Sequence, residues 1–198
     1  MRVGFDLDGV LFDFGKSVRE YMDSIGLKHG WENDALHPQT WNFFEHWGMT
    51  TKDFVQLCHD GVDAGYIFRN NVRNGAVEAV EMVKDMGHEI IVITDRQFGS
   101  TPEKSHQATY DWWEDFKFPA YDELHFSSDK TSVYTDIFVE DKLENYDAVT
   151  AAGTECYLIN RPWNFVEGCE RHRLNGILEY PAAVFDHSIR LGLTVLVN

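Results

Sequence analysis

The sequence opens with MRVGFDLDGV (residues 1–10), a short and largely apolar stretch that runs directly into two acids and a glycine. Residues 1–5 have the composition of a buried β-strand. The abrupt change at Asp6, Asp8 and Gly9 is typical of a strand that leaves a sheet. We therefore predict a first strand whose carboxyl end carries two carboxylates.

Further along the chain, short apolar runs alternate with helical patterns. The runs are EIIVIT (89–94), ELHF (123–126), DIFVE (136–140) and ECYLI (155–159). Helices are predicted over residues 74–86, 104–116 and 143–152. In the first of these, Asn74 is placed to cap the helix and Gly87 to end it. Strands that alternate with helices predict right-handed crossovers, so the expected fold class is α/β with a Rossmann-like parallel sheet.

Residues 14–73 interrupt this alternation because they contain no convincing buried strand. Helix-like patterns near residues 16–25 and 51–63 flank an aromatic-rich loop, WNFFEHW (41–47). We predict that residues 14–73 form a small helical cap inserted after the first strand. The core would then consist of residues 1–13 and 74–198.

The composition is that of a globular and strongly acidic protein. Of its 198 residues, 43% are hydrophobic, and 33 Asp and Glu against 17 Lys and Arg give a formal net charge of -16. This charge repels phosphate backbones, so we expect no nucleic-acid polymer as a partner. The sequence shows no membrane-spanning run, no secretion signal and no paired cysteine motif, and we expect a cytoplasmic protein without a membrane partner. The oligomeric state stays open, and the sequence is compatible with a homodimer.

Polar residues stand at the carboxyl ends of the predicted strands, where open parallel sheets place their functional sites. They are Asp6, Asp8, Thr94, Asp95, Arg96, Glu140 and Asp141, with Lys130 shortly before the last pair. Five carboxylates in one crevice repel one another unless a cation or a proton intervenes. Oxygen ligands suit Mg²⁺ better than zinc. We therefore predict a magnesium cofactor.

Four of these elements, taken in order, resemble the motifs of the haloacid dehalogenase-like phosphohydrolases: FDLDGV, the strand ending in Thr94, Lys130, and the pair Glu140-Asp141. Within that superfamily the chain is most similar to the 5'(3')-deoxyribonucleotidases. The likeness lies in NGAVEAVEMVKDMG (74–87), TYDWWEDF (109–116) and SSDKTSVYTDIFVEDKLEN (127–145). Asp95 departs from the serine that the family often has, and Glu140 from its second aspartate.

The resemblance implies a Mg²⁺-dependent phosphomonoesterase that acts on nucleoside monophosphates. Asp6 would form an aspartyl-phosphate, and Asp8 would serve as general acid and base. The implied metal ligands are Asp6, the Asp8 carbonyl and Asp141, with Glu140 acting through a water molecule. The implied phosphate-binding residues are Gly9, Thr94, Asp95, Arg96, Lys104 and Lys130. Arg96 and Lys104 are equally well explained as surface charges or partners of Asp95, and Arg161 is better explained by a structural ion pair than by a substrate contact.

Aromatic residues of the cap and its hinges are candidates for binding the base. They are Phe12, Trp41, Phe43, Phe44, Trp47 and Phe68. The loop rings are better explained as the core of the cap than as a platform for a ligand, because so small a cap has little else to bury. Two other functions stay open: a phosphatase of the same fold that acts on a sugar phosphate or another small metabolite, and a non-catalytic binding protein.

Overall fold

A computed structural model of the chain describes residues 1–28, 40–165 and 170–193. Its centre is a six-stranded parallel sheet with the strand order β3-β2-β1-β4-β5-β6. The strands are β1 (Arg2–Phe5), β2 (Glu89–Thr94), β3 (Glu123–Phe126), β4 (Ile137–Glu140), β5 (Glu155–Ile159) and β6 (Arg173–Leu174). The predicted α/β class with a parallel sheet is confirmed.

In the described parts of the chain, six α-helices accompany the sheet. They are α1 (Phe14–Ser24), α2 (Thr51–Asp63), α3 (Ala76–Asp85), α4 (Pro102–Asp115), α5 (Leu143–Ala151) and α6 (Tyr180–Arg190). The Asp13 side chain caps α1 by accepting from the Lys16 backbone N–H, and Thr50 and Asp53 form a capping box at α2. These caps define where the two helices that follow β1 begin.

The expectation that Asn74 caps α3 is wrong. The cap is Gly75, which has a φ of +77° and offers no side chain to the helix. A β-carbon at this position would lie 2.5 Å from Leu178. Because this position has a positive φ and packs closely against Leu178, it favours a glycine. Gly75 and not Asn74 is therefore the N-cap of the helix.

The sheet is covered on both faces, which explains why its strands read as continuous apolar runs. Along β2, Ile90 and Val92 belong to the larger buried cluster, whereas Ile91 and Ile93 belong to a second cluster. Successive strand residues point to opposite faces, so a strand buried on both sides needs apolar residues throughout. The sheet is thus a rigid base for the residues at its carboxyl edge.

The chain leaves and rejoins the core at adjacent points. Phe12 forms an antiparallel bridge with Val72, and the Arg73 N–H donates to the Leu11 carbonyl oxygen at 2.9 Å. Among residues 14–28 and 40–73 the structure has α1, α2 and a 3₁₀ turn (Phe43–Trp47), and no strand of the sheet. We call residues 14–73 the cap segment; its division from the core stays a prediction.

Two elements near the C-terminus were not predicted. The strand β6 has only two residues, too few for any periodicity. The helix α6 has buried residues at Tyr180, Val184 and Ser188, a spacing of four that could have identified it. The Tyr180 hydroxyl donates to the carbonyl oxygen of Gly4 at 3.0 Å, which ties α6 to the central strand. In the parts of the chain described here, no helix combines the length and apolar character needed to cross a bilayer.

Candidate active site

Asp6 follows β1 directly and lies at the carboxyl edge of the sheet. Its backbone N–H donates to the Val139 carbonyl oxygen on β4 at 3.1 Å. Its buried side chain accepts a hydrogen bond of 2.8 Å at Oδ1 from the Lys130 ammonium, which also donates to the Ile93 carbonyl oxygen at 2.8 Å. An ammonium carries three N–H groups. After these two described partners, one N–H of Lys130 remains for a ligand.

The acidic pair at the end of β4 is held by protein donors. Glu140 Oε1 accepts from the backbone N–H groups of Asp141 and Lys142 at 3.0 and 3.1 Å, and Oε2 accepts from the Asn145 amide at 3.1 Å. Asp141 Oδ2 accepts from the Trp163 indole N–H at 3.0 Å. The other oxygen, Oδ1, is buried and has no hydrogen-bond partner among the described residues. Glu140 is thus engaged by the protein, whereas Asp141 keeps an oxygen for a ligand.

Asp6, Glu140 and Asp141 form a buried acidic cluster in which one oxygen from each residue lies within 4.8 Å of the others. Burial raises the pKa of each carboxyl to about 7; nearby carboxylates add to the shift, and the Lys130 charge opposes it at Asp6 and Glu140. Burial lowers the pKa of Lys130, but the surrounding carboxylates outweigh this and the net shift is upward. When all three carboxyls are ionised, the Lys130 ammonium compensates one of them and two negative charges remain.

This cluster fits a divalent cation. The buried Oδ1 of Asp141 lacks a protein donor, and the donor set consists of carboxylate oxygens, which a hard cation such as Mg²⁺ prefers. A cation would also compensate the excess negative charge of the buried group. The three acidic residues could therefore hold a metal ion.

Gly9 allows the cluster to pack closely. It has a φ of +82°, a conformation in which glycine is unstrained. A β-carbon at this position would lie 1.9 Å from Asp141 Oδ2. From the sequence, this glycine was expected to allow the close approach of a phosphate. The structure shows a different reason for a glycine at this position: the Asp141 carboxylate occupies the space that a β-carbon would need.

Asp8 is not part of this acidic cluster and pairs instead with an arginine. Arg96 Nη2 donates to Asp8 Oδ1 at 2.9 Å, and Nε donates to Oδ2 at 3.2 Å. The Arg96 side chain is fully buried, whereas Asp8 keeps 24% of its side chain exposed. Arg96 is therefore neither a surface charge nor a partner of Asp95. Its guanidinium is directed at Asp8, which differs from the expected phosphate contact.

A cavity of about 310 Å³ opens at these carboxylates, a size suited to one small molecule. Asp6, Asp8 and Lys130 line its polar part. Its aromatic lining consists of Phe14, Trp41, Phe43, Phe44, Phe54, Phe98 and Trp163. Acidic groups, basic groups and aromatic rings of the cap segment therefore line one cavity.

Three of the six aromatic residues expected to bind a base lie in this lining: Trp41, Phe43 and Phe44. Phe12 and Phe68 lie instead against the Arg96 guanidinium, at 4.6 and 4.3 Å from their ring centres. The sixth is Trp47, whose ring packs against Phe43 at 5.1 Å between centroids and is not among the residues that line the cavity.

Only some of the residues expected to bind phosphate line the cavity. Gly9, Asp95 and Lys130 line the cavity. Thr94 is buried, and its hydroxyl has no hydrogen-bond partner among the described residues. Lys104 is exposed on the first turn of α4 and is not among the residues that line the cavity. A carboxylate such as Asp95 repels phosphate, so only its backbone could serve as a phosphate contact.

The segment after β5 supports the site in a way that the sequence did not reveal. The Asn164 amide donates to the carbonyl oxygens of Asp141 and Ile159, both at 2.7 Å. Arg161 Nε donates to the Gly9 carbonyl oxygen at 2.7 Å, so it binds a carbonyl where an ion pair was expected. The motif NRPWN (160–164) was visible in the sequence, but Asp141 and Gly9 lie 23 and 152 positions away from the residues that bind them.

Comparison with known proteins identifies the family. The family model described as "5' nucleotidase, deoxy (Pyrimidine), cytosolic type C protein" matches residues 1–174. The chain belongs to this family. As a cytosolic type C 5'-nucleotidase family member it is a hydrolase of the phosphatase class, and the resemblance drawn from the sequence motifs is confirmed.

Individual relatives of this 5'-nucleotidase family member are distant. A Chlorobaculum tepidum protein named "Putative 5'(3')-deoxyribonucleotidase" is 29% identical over 164 residues, which cover 78% of this chain and 77% of the relative. A Bacillus cereus protein named "Putative nucleotidase" is 27% identical over 166 residues, covering 83% and 84%. A haloacid dehalogenase-like hydrolase of Streptococcus pneumoniae aligns with a TM-score of 0.60 at 15% identity, covering 92% and 97% of the two chains, and shares the fold.

Proposed function

We propose that the protein is a Mg²⁺-dependent phosphomonoesterase that dephosphorylates nucleoside monophosphates through an aspartyl-phosphate on Asp6. One observation carries the proposal. The buried Asp6 carboxylate lies beside a lysine with one N–H to spare and beside an Asp141 oxygen without a protein donor. A nucleophile, a phosphate-binding cation and a metal-binding oxygen thus converge at one end of the cavity.

Asp6 is suited to attack phosphorus. The hydrogen bond from Lys130 occupies Oδ1 and leaves Oδ2 available. In the proposed first step, an Asp6 oxygen forms the bond to phosphorus while the bond to the sugar oxygen breaks. The spare N–H of Lys130, which lines the cavity, would donate to a non-bridging phosphate oxygen.

Asp8 is suited to move the proton. It lines the same cavity as Asp6 and keeps part of its carboxyl group exposed. In the first step Asp8, in its protonated form, would give its proton to the departing sugar oxygen and become a carboxylate. In the second step it would take a proton from the water that attacks the phosphorus of the aspartyl-phosphate, which releases inorganic phosphate and restores Asp6.

Magnesium would be held by the Asp6 and Asp141 carboxylates and the Asp8 carbonyl, with Glu140 behind them. When bound, it supplies positive charge to the phosphate oxygens and offsets the repulsion between phosphate and the acidic cluster. Asp141 meets this role through its Oδ1. Glu140 instead fixes the backbone at Asp141 and Lys142 through the hydrogen bonds to those N–H groups.

The aromatic rings of the cap segment support a nucleoside as the substrate. Trp41 is 49% exposed and lines the cavity together with the buried Phe43 and Phe44. Base–aromatic stacking stabilises binding by roughly 1–3 kcal/mol per base. A sugar phosphate would offer these rings no planar partner, so activity that depends on the base distinguishes the two substrates.

The proposal is tested with a panel of nucleoside and sugar monophosphates, assayed for phosphate release with Mg²⁺ and with EDTA. We expect release from nucleotides with Mg²⁺ and none after chelation. Borohydride added during turnover should convert phosphorylated Asp6 to homoserine, which mass spectrometry detects, and Asp6→Asn should abolish both turnover and trapping. The exposed residue Asp147, which pairs with Arg171 away from the cavity, gives the control variant Asp147→Asn. Full activity after exhaustive chelation, or an active Asp6→Asn enzyme, contradicts the mechanism.

A further inference from the structure

We infer that Arg96 is a positioning residue for Asp8: it orients the carboxylate that moves the proton, and does not bind the phosphate. The inference rests on the proposed function, because Asp8 needs a substrate oxygen to protonate. It is carried by the bidentate contact between the two residues and by the enclosure around Arg96.

The contact fixes the plane of the carboxylate. Two different nitrogens of Arg96 donate to the two different oxygens of Asp8, at 2.9 and 3.2 Å. A paired contact of this kind sets both distance and orientation, whereas a single hydrogen bond would leave the carboxylate free to rotate. Asp8 is therefore presented to the cavity in one orientation.

Arg96 is itself fixed by its surroundings. Its guanidinium carbon lies 4.6, 4.3 and 5.4 Å from the ring centres of Phe12, Phe68 and Trp112, and Nη1 donates to the Thr109 hydroxyl at 3.2 Å. Such rings attract a guanidinium to their faces. One ring precedes the cap segment, one lies within it and one belongs to α4, and together they hold one cation against one carboxylate.

The same surroundings argue against a phosphate contact. Arg96 is fully buried and is not among the described residues that line the cavity, whereas Asp8 and Lys130 are. A phosphate in the cavity meets Asp8 before it can reach the guanidinium. Arg96 therefore acts on the reaction only through the carboxylate that it holds.

Positioning of a proton donor predicts a dependence on the leaving group. A nucleoside hydroxyl is a poor leaving group and needs a proton, whereas nitrophenolate leaves with little help. A misplaced Asp8 should therefore slow the cleavage of nucleotides and spare that of nitrophenyl phosphate. The value of kcat/KM isolates this difference, because it reports only the steps up to release of the leaving group.

The experiment compares Arg96→Met with the unmodified enzyme on a nucleoside monophosphate and on nitrophenyl phosphate. Misplacing a catalytic group by about 1 Å can lower the rate about 100-fold, so we expect kcat/KM for the nucleotide to fall about 10- to 100-fold. For nitrophenyl phosphate it should change by less than about threefold. Arg96→Lys, which restores the charge and one donor, should recover part of the nucleotide rate.

Two further variants separate positioning from stability. Adding Asp8→Asn to Arg96→Met should cause little loss beyond that of Asp8→Asn alone, because both changes act on one group. Arg171→Met removes another bidentate arginine, bound to Asp147 away from the cavity, and should leave the ratio of the two kcat/KM values unchanged. If Arg96→Met does not fold, Thr109→Val removes one anchor of Arg96 and should shift the ratio in the same direction.

Some outcomes overturn the inference. Equal losses on both substrates would mean that Arg96 supports the fold or binds phosphate, and a KM increase with unchanged kcat would indicate phosphate binding. Additive losses in the double variant would separate Arg96 from Asp8. An unmodified enzyme without phosphatase activity would overturn the proposed function instead, so the two failures are distinguishable.

Discussion

At the scale of single residues, the two neighbouring acids Glu140 and Asp141 have different surroundings. Both oxygens of Glu140 accept hydrogen bonds from the protein, whereas Asp141 Oδ1 has no such partner among the described residues. Glu140 is the last residue of β4, whereas Asp141 follows the strand. Glu140 therefore stabilises the local backbone, whereas Asp141 keeps an oxygen for a ligand.

This difference predicts different effects of removing each charge. Asp141→Asn should weaken Mg²⁺ binding at least about tenfold, since a ligand that contacts the metal is lost. Glu140→Ala should weaken Mg²⁺ binding less but lower the melting temperature more, because it removes the acceptor for the Asp141 and Lys142 N–H groups and for the Asn145 amide. Titration calorimetry with Mg²⁺ and thermal melting in EDTA measure the two effects. The opposite ranking in calorimetry would mean that the two assignments must be exchanged.

At the scale of elements, the 3₁₀ turn Phe43–Trp47 connects the cavity to the interior of the cap segment. The Phe44 ring stacks on Phe54 of α2 at 4.4 Å between centroids, and both rings are largely buried. Trp41 precedes the turn, is about half exposed, and lies 5.0 Å from the Lys142 ammonium. All three rings line the cavity, and they divide by exposure: Phe44 and Phe54 are buried against each other, whereas Trp41 is about half exposed.

The division predicts two kinds of variant. Trp41→Ala should raise KM for a nucleotide about five- to a hundredfold, the equivalent of losing one stacking contact, with the melting temperature and the hydrolysis of nitrophenyl phosphate nearly unchanged. Phe44→Ala removes a buried ring and should destabilise the protein by about 3–5 kcal/mol, which would impair both substrates. Kinetics and melting of each variant decide between these effects. Parallel losses on both substrates for Trp41→Ala would remove the argument for base stacking.

At the scale of the whole molecule, the acidic cluster couples stability to pH and to metal. The pKa values of Asp6, Glu140 and Asp141 rise from ordinary values of 3.8, 4.5 and 3.8 to about 7 in the folded protein, mainly because the groups are buried. Between about pH 4 and pH 7 the native state then holds more protons than the unfolded chain. These groups therefore lower stability as pH rises, and the cost is complete above pH 7.

We predict that the melting temperature in EDTA decreases from pH 5 to pH 8 less in Asp141→Asn than in the unmodified protein, because the variant has one fewer raised carboxyl. Mg²⁺ should raise the melting temperature of the unmodified protein, and more strongly at pH 8, where the carboxylates are ionised. Calorimetric melting at both pH values with and without Mg²⁺ measures this. A Mg²⁺ effect that is larger at pH 5 would contradict the assignment of the cluster as the metal site.

Features that depend on neighbouring residues can be read from the sequence alone. Apolar runs bounded by polar residues locate the five longer strands, and helical spacing locates α3, α4 and α5, because local periodicity reflects which faces are buried. The residues at strand ends follow from the same reasoning, since parallel strands present their carboxyl ends at one edge. Asp6, Asp8, Lys130 and Asp141 are accordingly recognisable as one group from their positions along the chain.

Tertiary packing determines which group each of these residues contacts. Asp8 and Arg96 are 88 positions apart, and the three rings around Arg96 come from separate segments, so no local pattern marks the pairing. Gly9 likewise owes its role to the carboxylate of Asp141, which folding brings against it. Such contacts depend on strand order and on how the crossovers pack, and these are fixed by long-range burial that a short stretch of sequence does not encode.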